Sequence, residues 1–230
     1  MKDRKVPVVI NLATGNYVKG QERLDRSLVA DRPFEKRFWQ DEEQIGAPKH
    51  KENPYAFKLY GFSSAINQGF KHILWVDASV FAVKNIDPVF EVIADEGYIM
   101  QAAGHKAGTW ANDRCLEYFG ITRDEAMEID MYGNAGFLGL NMNAEIAQDF
   151  LREWYVAMKA GIFKGGWRND DLSESKDPRC KGHRHDMVVG SIIAHKLGME
   201  YKRGDEWLQY AAPREPVRNQ TIVFKAQGVT

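Results

Sequence analysis

An aspartate stands directly after the clearest apolar run of the sequence. Residues 72–76 read His-Ile-Leu-Trp-Val, which is typical of a buried strand, and Asp77 follows where the run stops. A carboxylate at a strand end can hold a divalent cation or a sugar hydroxyl. Thr14 and Tyr17 follow an earlier apolar run, residues 6–12, and their side chains can bond to and stack on a nucleoside. The two groups are therefore candidates for one ligand site.

Apolar runs alternate with amphipathic stretches along the chain. Strands are predicted at 6–12, 72–77, 97–101, 135–140, 199–202 and 221–225. Helices are predicted at 21–30, 54–68, 86–96, 109–119, 144–160 and 186–197, with a further short helix after a capping box that starts at Thr122. This alternation predicts an α/β fold, with residues 1–230 in one domain and a mostly parallel, mixed sheet flanked by helices. Ligands of such sheets bind beyond the carboxyl ends of the strands, which is where Thr14, Tyr17 and Asp77 are expected.

Two long stretches lack a regular pattern. Residues 31–53 are polar, aromatic and irregular, and residues 162–184 are rich in Gly, Asp, Lys and Arg. Structureless segments of this length inside compact domains tend to be lids or binding loops. Trp167, which glycine and arginine residues flank, is predicted to stack on the face of a sugar.

The composition excludes several classes of protein. Of 230 residues, 44% are hydrophobic and 27% are charged, as in an ordinary globular protein, and the formal net charge of -1 provides no overall attraction for nucleic acid or anionic lipid. No run approaches the roughly 20 apolar residues of a membrane span. The first residues lack the apolar core of a signal peptide, and two cysteines make no disulfide framework, so a cytoplasmic protein is expected.

Three segments together resemble a known family. Residues 74–79, Leu-Trp-Val-Asp-Ala-Ser, resemble the strand and Asp-x-Asp element of GT-A glycosyltransferases. Residues 134–141, Asn-Ala-Gly-Phe-Leu-Gly-Leu-Asn, resemble the N-x-G-x-x-x-x-N strand of the retaining family 8 enzymes. Residues 183–186, His-Arg-His-Asp, are similar to the helix start that follows in those enzymes. The order of the segments agrees too, and the resemblance covers residues 6 to 200.

The resemblance implies a Rossmann-like GT-A domain that acts as a glycosyltransferase of the hexosyltransferase kind. Such an enzyme moves a sugar from a nucleoside diphosphate sugar to a hydroxyl acceptor, here a glycan or a lipid-linked glycan. Carried over to this sequence, the resemblance assigns Thr14 and Tyr17 to the nucleoside and Lys58 to phosphate. It assigns Asp77 and Ser79 to the donor and to Mn²⁺ or Mg²⁺, and Trp167 and His183 to substrate. Catalysis at the transferred sugar is assigned to Asn134, His185 and Asp186.

The sequence also departs from the family pattern at its metal ligands. Ser79 occupies the position of the second aspartate, and the predicted strand at 221–225 lacks the histidine that usually completes the set. Hard divalent cations take several oxygen ligands, so Asp77 with Ser79 is a thin set. Basic residues, including Lys58 and Lys225, are the alternative counter-charges for a diphosphate; loss of catalysis is the other outcome.

Alternative interpretations remain open at this point. The residues allow a non-catalytic nucleotide-sugar or glycan-binding protein of the same fold, and Asp186 also suits a helix N-cap. A nucleotidyltransferase acting on sugar phosphates is a third class, but no glycine-rich loop with a lysine follows the first strand. Cys180, His183 and His185 are good zinc ligands, yet their spacing matches no standard finger and lacks a fourth partner.

Overall fold

The computed structural model describes residue 4 and residues 6–132, 136–204, 206–210 and 215–228. The strands are β1 (Val8–Leu12), β2 (Glu35–Trp39), β3 (His72–Val76), β4 (Val80–Ala82), β5 (Tyr98–Ile99), β6 (Ala102–Lys106), β7 (Asp130–Tyr132), β8 (Phe137–Asn141), β9 (Leu208–Tyr210) and β10 (Phe224–Ala226). The helices are α1 (Val18–Ser27), α2 (Phe57–Asn67), α3 (Asp87–Glu96), α4 (Ala107–Trp110), α5 (Asp113–Phe119), α6 (Arg123–Glu128), α7 (Glu145–Lys159) and α8 (His185–Lys196). None of these helices combines the length and the apolar character that crossing a membrane requires.

The main sheet has the strand order β2-β1-β3-β8-β5 among the described residues. β1 pairs in parallel with β2 and β3, whereas β8 runs antiparallel to β3 and β5. The predicted fold class, an α/β fold with a mixed sheet flanked by helices, is confirmed. Because β1 and β3 are parallel neighbours, their carboxyl ends meet at one edge of the sheet, and the reversed strand β8 begins at that same edge.

Alternate residues of the central strands face two different hydrophobic cores. Val8 and Ile10 of β1 pack in a core that α2, α7 and α8 cover, whereas Val9 packs in a second core that α1 and α3 cover. All three side chains are fully buried. Burial of an aliphatic side chain of this size stabilises a fold by about 1.5–3 kcal/mol. Both faces of the sheet therefore demand apolar side chains, which explains the continuous apolar runs in the sequence.

Three local predictions were wrong. β2 lies inside the stretch predicted to be irregular, because an edge strand with partly exposed side chains needs no apolar alternation. The predicted helix at 109–119 is broken at Ala111 into α4 and α5. The predicted strand at 199–202 contributes an isolated bridge between Gln101 and Lys202.

A small sheet of order β4-β10-β9 brings the late part of the chain to the carboxyl edge of the main sheet. β10 runs antiparallel to β4, and beyond it the Gln227 backbone N–H donates to the Ser79 carbonyl at 3.0 Å. Arg23 of α1 donates to the same carbonyl at 3.1 Å. The backbone around Ser79 is therefore held by two distant segments.

The segment 162–184 contains no helix or strand, as predicted, but side chains order it. The buried Asn169 donates to the carbonyls of Ser175 and Cys180, and its own side-chain oxygen accepts from the backbone N–H groups of Glu174 and Ser175. Each such bond adds roughly 0.5–1.5 kcal/mol of net stability. Asn169 thus replaces the backbone ladder that this loop lacks.

Gly139 of β8 is expected to tolerate no side chain. A Cβ there would lie 2.3 Å from Ile93 Cδ1 and 2.7 Å from Ile99 Cγ2, both in the second core. We expect Gly139→Ala to lower the free energy of unfolding by about 1–3 kcal/mol, because the core must shift to admit the methyl group. Urea denaturation measures the change. Gly204→Ala is the control, since its Cβ would meet only Ala102 O at 3.7 Å, and equal losses in both variants would contradict the prediction.

Candidate functional site

A cavity of about 440 Å³ opens beyond the carboxyl ends of β1 and β3. Four residues predicted to bind the donor, Thr14, Tyr17, Asp77 and Ser79, line it together. Its other lining residues are Leu12, Ala13, Glu42, His50, Tyr55, Phe57, Ala78 and Gly228. The volume lies within the range of ligand pockets, roughly 300–1,000 Å³. The parallel pairing of β1 and β3 is what brings residues 12–17 and 77–79 to one place.

Asp77 is held in place by Trp75 and by the backbone of Gly136. The Trp75 indole N–H donates to Asp77 Oδ1 at 2.6 Å, and the Asp77 backbone N–H donates to the Gly136 carbonyl at 2.8 Å. A Cβ on Gly136 would lie 3.0 Å from Asp77 Oδ2, so a larger residue would crowd the carboxylate. The Asp77 side chain is 32% exposed, toward the cavity it lines. The second carboxylate oxygen is therefore the one presented to a ligand.

Lys58 joins Asp77 to a second, buried carboxylate. Lys58 Nζ lies 3.5 Å from Asp77 Oδ1 and 3.0 Å from Asp186 Oδ2, and the side chains of Lys58 and Asp186 are only 2% and 4% exposed. Burial by itself would lower the pKa of Lys58, but the charges of Asp186 and Asp77 outweigh it and raise that pKa. Burial raises the pKa of Asp186, and Lys58 offsets part of the rise. The three residues come from α2, the end of β3 and the first turn of α8.

Lys58 and Asp186 lie behind the cavity wall. Neither residue is part of the lining, and both are almost wholly buried. In this geometry they hold Asp77 in place and neutralise one another. The roles predicted for them, phosphate binding and catalysis, stay predictions.

Two residues beside the cavity adopt strained backbone angles. Tyr55 has φ of 60° and His185 has φ of 44°, a region that side chains other than glycine rarely enter. Their rings lie 5.5 Å apart, and His185 donates from Nδ1 to the Phe163 carbonyl at 2.9 Å. Strain of this kind costs about 1–3 kcal/mol per residue and concentrates at functional sites. The contact between Tyr55 and His185 joins the lining of the cavity to the first residue of α8.

His183 faces the interior of the molecule. It is fully buried; its Nδ1 accepts from the Asn112 backbone N–H at 3.3 Å, and its Nε2 donates to the Ile162 carbonyl at 2.9 Å. Burial lowers the pKa of His183 to about 3, so the ring is neutral. This bonding ties the loop 162–184 to α5. The predicted contact with substrate stays a prediction.

Trp167 lies outside the cavity, and Asn134 lies outside the described residues. The Trp167 ring stacks on His185 at a centroid distance of 5.7 Å, and the residue is 51% exposed. His50, Tyr55 and Phe57 also line the cavity, although they were not predicted to do so. The sequence signal that could have identified these lining residues is a cluster of aromatic residues just before Lys58.

The described residues do not fit the Mn²⁺ or Mg²⁺ predicted at Asp77 and Ser79. One oxygen of Asp77 already accepts from Trp75 and lies beside the Lys58 ammonium, which repels a second cation. Among the residues that the structure describes, no three His, Cys, Asp or Glu side chains are placed to hold a metal ion, so Cys180, His183 and His185 form no zinc site either.

Chelation of divalent cations is therefore expected to have little effect on nucleotide binding. We expect the Kd of uridine diphosphate to change less than about threefold between EDTA and Mn²⁺, which is below about 1 kcal/mol. Calorimetric titration measures both values. Ser79→Asp supplies the second carboxylate and should create a dependence on Mn²⁺. Tighter binding by more than tenfold with Mn²⁺ in the unaltered protein would contradict the prediction.

Comparisons with known proteins agree with this architecture. No protein-family model matches the sequence, and a search of curated proteins finds no match. Mouse xyloside xylosyltransferase 1, in its apo form, is 12% identical with a TM-score of 0.51 over 96% of this chain and 97% of its own. A glycosyltransferase involved in the glycosylation of the major capsid of PBCV-1 is 11% identical with a TM-score of 0.52 over 96% of this chain and 93% of its own. The chain thus has the GT-A-like fold of glycosyltransferases.

Proposed function

We propose that this protein is a glycosyltransferase that takes its sugar from a nucleoside diphosphate donor and transfers it to a hydroxyl group of a glycan or a lipid-linked glycan. The observation that carries the proposal is the convergence of Thr14, Tyr17, Asp77 and Ser79 on one cavity at the carboxyl edge of the sheet. The fold is that of glycosyltransferases, and ligands of open α/β sheets bind at this edge.

The cavity offers suitable groups for such a donor. Thr14 and Tyr17 present a hydroxyl and a largely exposed ring, which suit a nucleoside. Asp77 presents one carboxylate oxygen, which suits the hydroxyls of a ribose or a hexose. Hydrogen bonds to a charged acceptor contribute about 1.5–3 kcal/mol each. Asp77 is thereby the residue with the largest expected share of donor recognition.

Transfer requires one bond to break and another to form at the anomeric carbon. The electron pair of the broken carbon–oxygen bond leaves with the diphosphate, the acceptor oxygen bonds to the same carbon, and the diphosphate takes up the acceptor proton. The carbon carries positive charge in the transition state, and fixed negative groups nearby stabilise that charge. Asp77, held by Trp75 and Lys58, is one of two carboxylates that line the cavity; the other, Glu42, is buried and pairs with Lys49 at 3.6 Å.

A panel of nucleoside diphosphate sugars tests the proposal. Binding is measured by calorimetry, and release of nucleoside diphosphate is measured with and without glycan acceptors. We expect one donor to bind and to be turned over, with release accelerated by an acceptor. Failure of every donor to bind would overturn the proposal.

A non-catalytic nucleotide-sugar or glycan-binding protein of the same fold is the second candidate. The observation that favours it is the engagement of Asp77 Oδ1 by Trp75 and Lys58, which leaves fewer groups for chemistry. It predicts tight donor binding, no turnover with any acceptor, and no catalytic change in Asp77→Ala.

A further inference from the structure

Arg184, which directly precedes α8, is held between two tryptophan rings. Its Cζ lies 3.7 Å from the centroid of Trp110 and 3.8 Å from that of Trp167. Two indole rings so close to one guanidinium must cover its opposite faces. Arg184 Nη1 also donates to the Trp167 carbonyl at 2.5 Å. The stacking fixes the plane of the guanidinium and leaves its remaining N–H groups pointing outward along the edge.

The guanidinium has no carboxylate partner among the described residues. The ion pairs of the described chain include none with Arg184, although the side chain is only partly exposed. An arginine normally bonds a carboxylate or a phosphate through two parallel N–H groups. A rigid guanidinium with an unused edge is therefore prepared for an anion from outside the chain.

The edge of Arg184 opens into a groove of about 530 Å³. Its charged lining residues are Arg184, Arg168, Lys181 and Asp170. Arg168 and Asp170 are 79% and 82% exposed and 3.8 Å apart, which makes their mutual pairing weak. Three cations against one carboxylate make the groove positive. Its charge complements an anionic ligand.

Aromatic rings connect the groove to the donor cavity. Trp167 lines the groove and stacks on His185 at 5.7 Å, and the His185 ring lies 5.5 Å from Tyr55, which lines the cavity. A saccharide that is bound in the groove and extends along these rings would reach the donor cavity, where the proposed transfer takes place.

We propose that this groove is the acceptor subsite and that it takes an acidic saccharide, whose carboxylate or phosphate bonds to the edge of Arg184. The proposal rests on the proposed function. Arg168 and Lys181, whose side chains are exposed, add long-range attraction for the anion.

Direct binding of matched saccharides tests the groove without any donor. One arm compares an oligosaccharide of glucuronic acid with the corresponding oligosaccharide of glucose, and the other compares glucose 1-phosphate with glucose. We expect the charged member of at least one pair to bind at least about tenfold more tightly, since a charge-assisted bond contributes that much. The pair that shows the difference identifies the anion. Equal binding within both pairs would overturn the proposal.

Variants show which residue causes the preference for the charged saccharide. Arg184→Gln should abolish it, whereas Arg152→Gln, an exposed arginine on α7, should leave it unchanged. If Arg184→Gln does not fold, Arg168→Gln and Lys181→Gln are the alternative tests, because both side chains are exposed. Each should reduce the preference for the charged saccharide by about threefold. A preference that survives in folded Arg184→Gln, or in both exposed variants, would overturn the assignment.

The two proposals fail separately. Uridine diphosphate binding and donor turnover report on the cavity, whereas saccharide binding without donor reports on the groove. Selective saccharide binding in a protein that binds no nucleotide sugar would retain the groove and remove the transferase function.

Discussion

Replacing Lys58 with methionine is expected to lower the free energy of unfolding by about 3–5 kcal/mol, because it strands the buried carboxylate of Asp186 without a counter-charge. Methionine keeps most of the side-chain volume, so the loss reports on charge rather than on a cavity. Chemical denaturation followed by tryptophan fluorescence measures it.

Two controls separate burial from simple ion pairing. Lys36 and Asp25 lie closer together, at 2.6 Å, but both side chains are well exposed, so Lys36→Met should cost less than about 1 kcal/mol. The double variant Lys58→Met with Asp186→Asn removes both charges and should recover much of the stability. A loss in Lys58→Met no larger than in Lys36→Met would contradict the prediction.

The single Lys58→Met variant should also gain stability as the pH falls. Burial already raises the pKa of Asp186, and Lys58 is what opposes the rise. Without Lys58 the folded protein binds a proton at Asp186 more tightly than the unfolded chain does, so the contribution of Asp186 to stability is greatest at low pH and is lost as the pH rises through its folded pKa. Denaturation of the variant and of the unaltered protein at several pH values measures the difference in slope, and equal slopes would contradict this account.

Asp77→Asn is expected to reduce kcat/KM by roughly 100-fold, a loss of about 3 kcal/mol, with the fold retained. The asparagine oxygen still accepts from Trp75, and Lys58 keeps its ion pair with Asp186. The variant therefore removes the negative charge of Asp77 and leaves the other cavity-lining carboxylate, Glu42, in place. Initial rates of donor turnover measure the effect once a donor is known.

Asp149→Asn on α7 is the matched control, because its side chain is 30% exposed, and its kcat/KM should equal that of the unaltered protein. Normal turnover in Asp77→Asn would exclude Asp77 from donor recognition. For Asp77→Asn we expect normal thermal stability together with the reduced turnover.

The strand that carries Asp77 could be predicted from sequence, and the charges behind it could not. The largely apolar run at 72–76 indicates a strand that is buried on both faces, and the polar residue after the run marks the end of the strand. Lys58 and Asp186 carry no such local signal, since their pairing depends on the fold bringing the first turns of α2 and α8 to within 3.0 Å at this ion pair. The local periodicity of the sequence contains no information about the distance between Lys58 and Asp186.

Two further differences have the same origin. β2 is missed because an edge strand is paired on one side only and tolerates charged residues such as Glu35 and Lys36. His183 has a residue type that suits substrate contact, but its two bonds go to backbone groups of α5's N-cap and of Ile162, distant in sequence. Residue type indicates what a side chain can do, whereas tertiary packing decides what it bonds to.

The ion pair between Lys58 and Asp186 has a consequence for synthesis on the ribosome. Lys58 emerges early, together with β1 and β3, but its buried partner arrives only with α8. Until then Lys58 has Asp77, which is synthesised soon after it and lies 3.5 Å away, as a counter-charge. Long-range contacts of this kind form late in folding. The charge cluster behind Asp77 is therefore completed only when α8 docks.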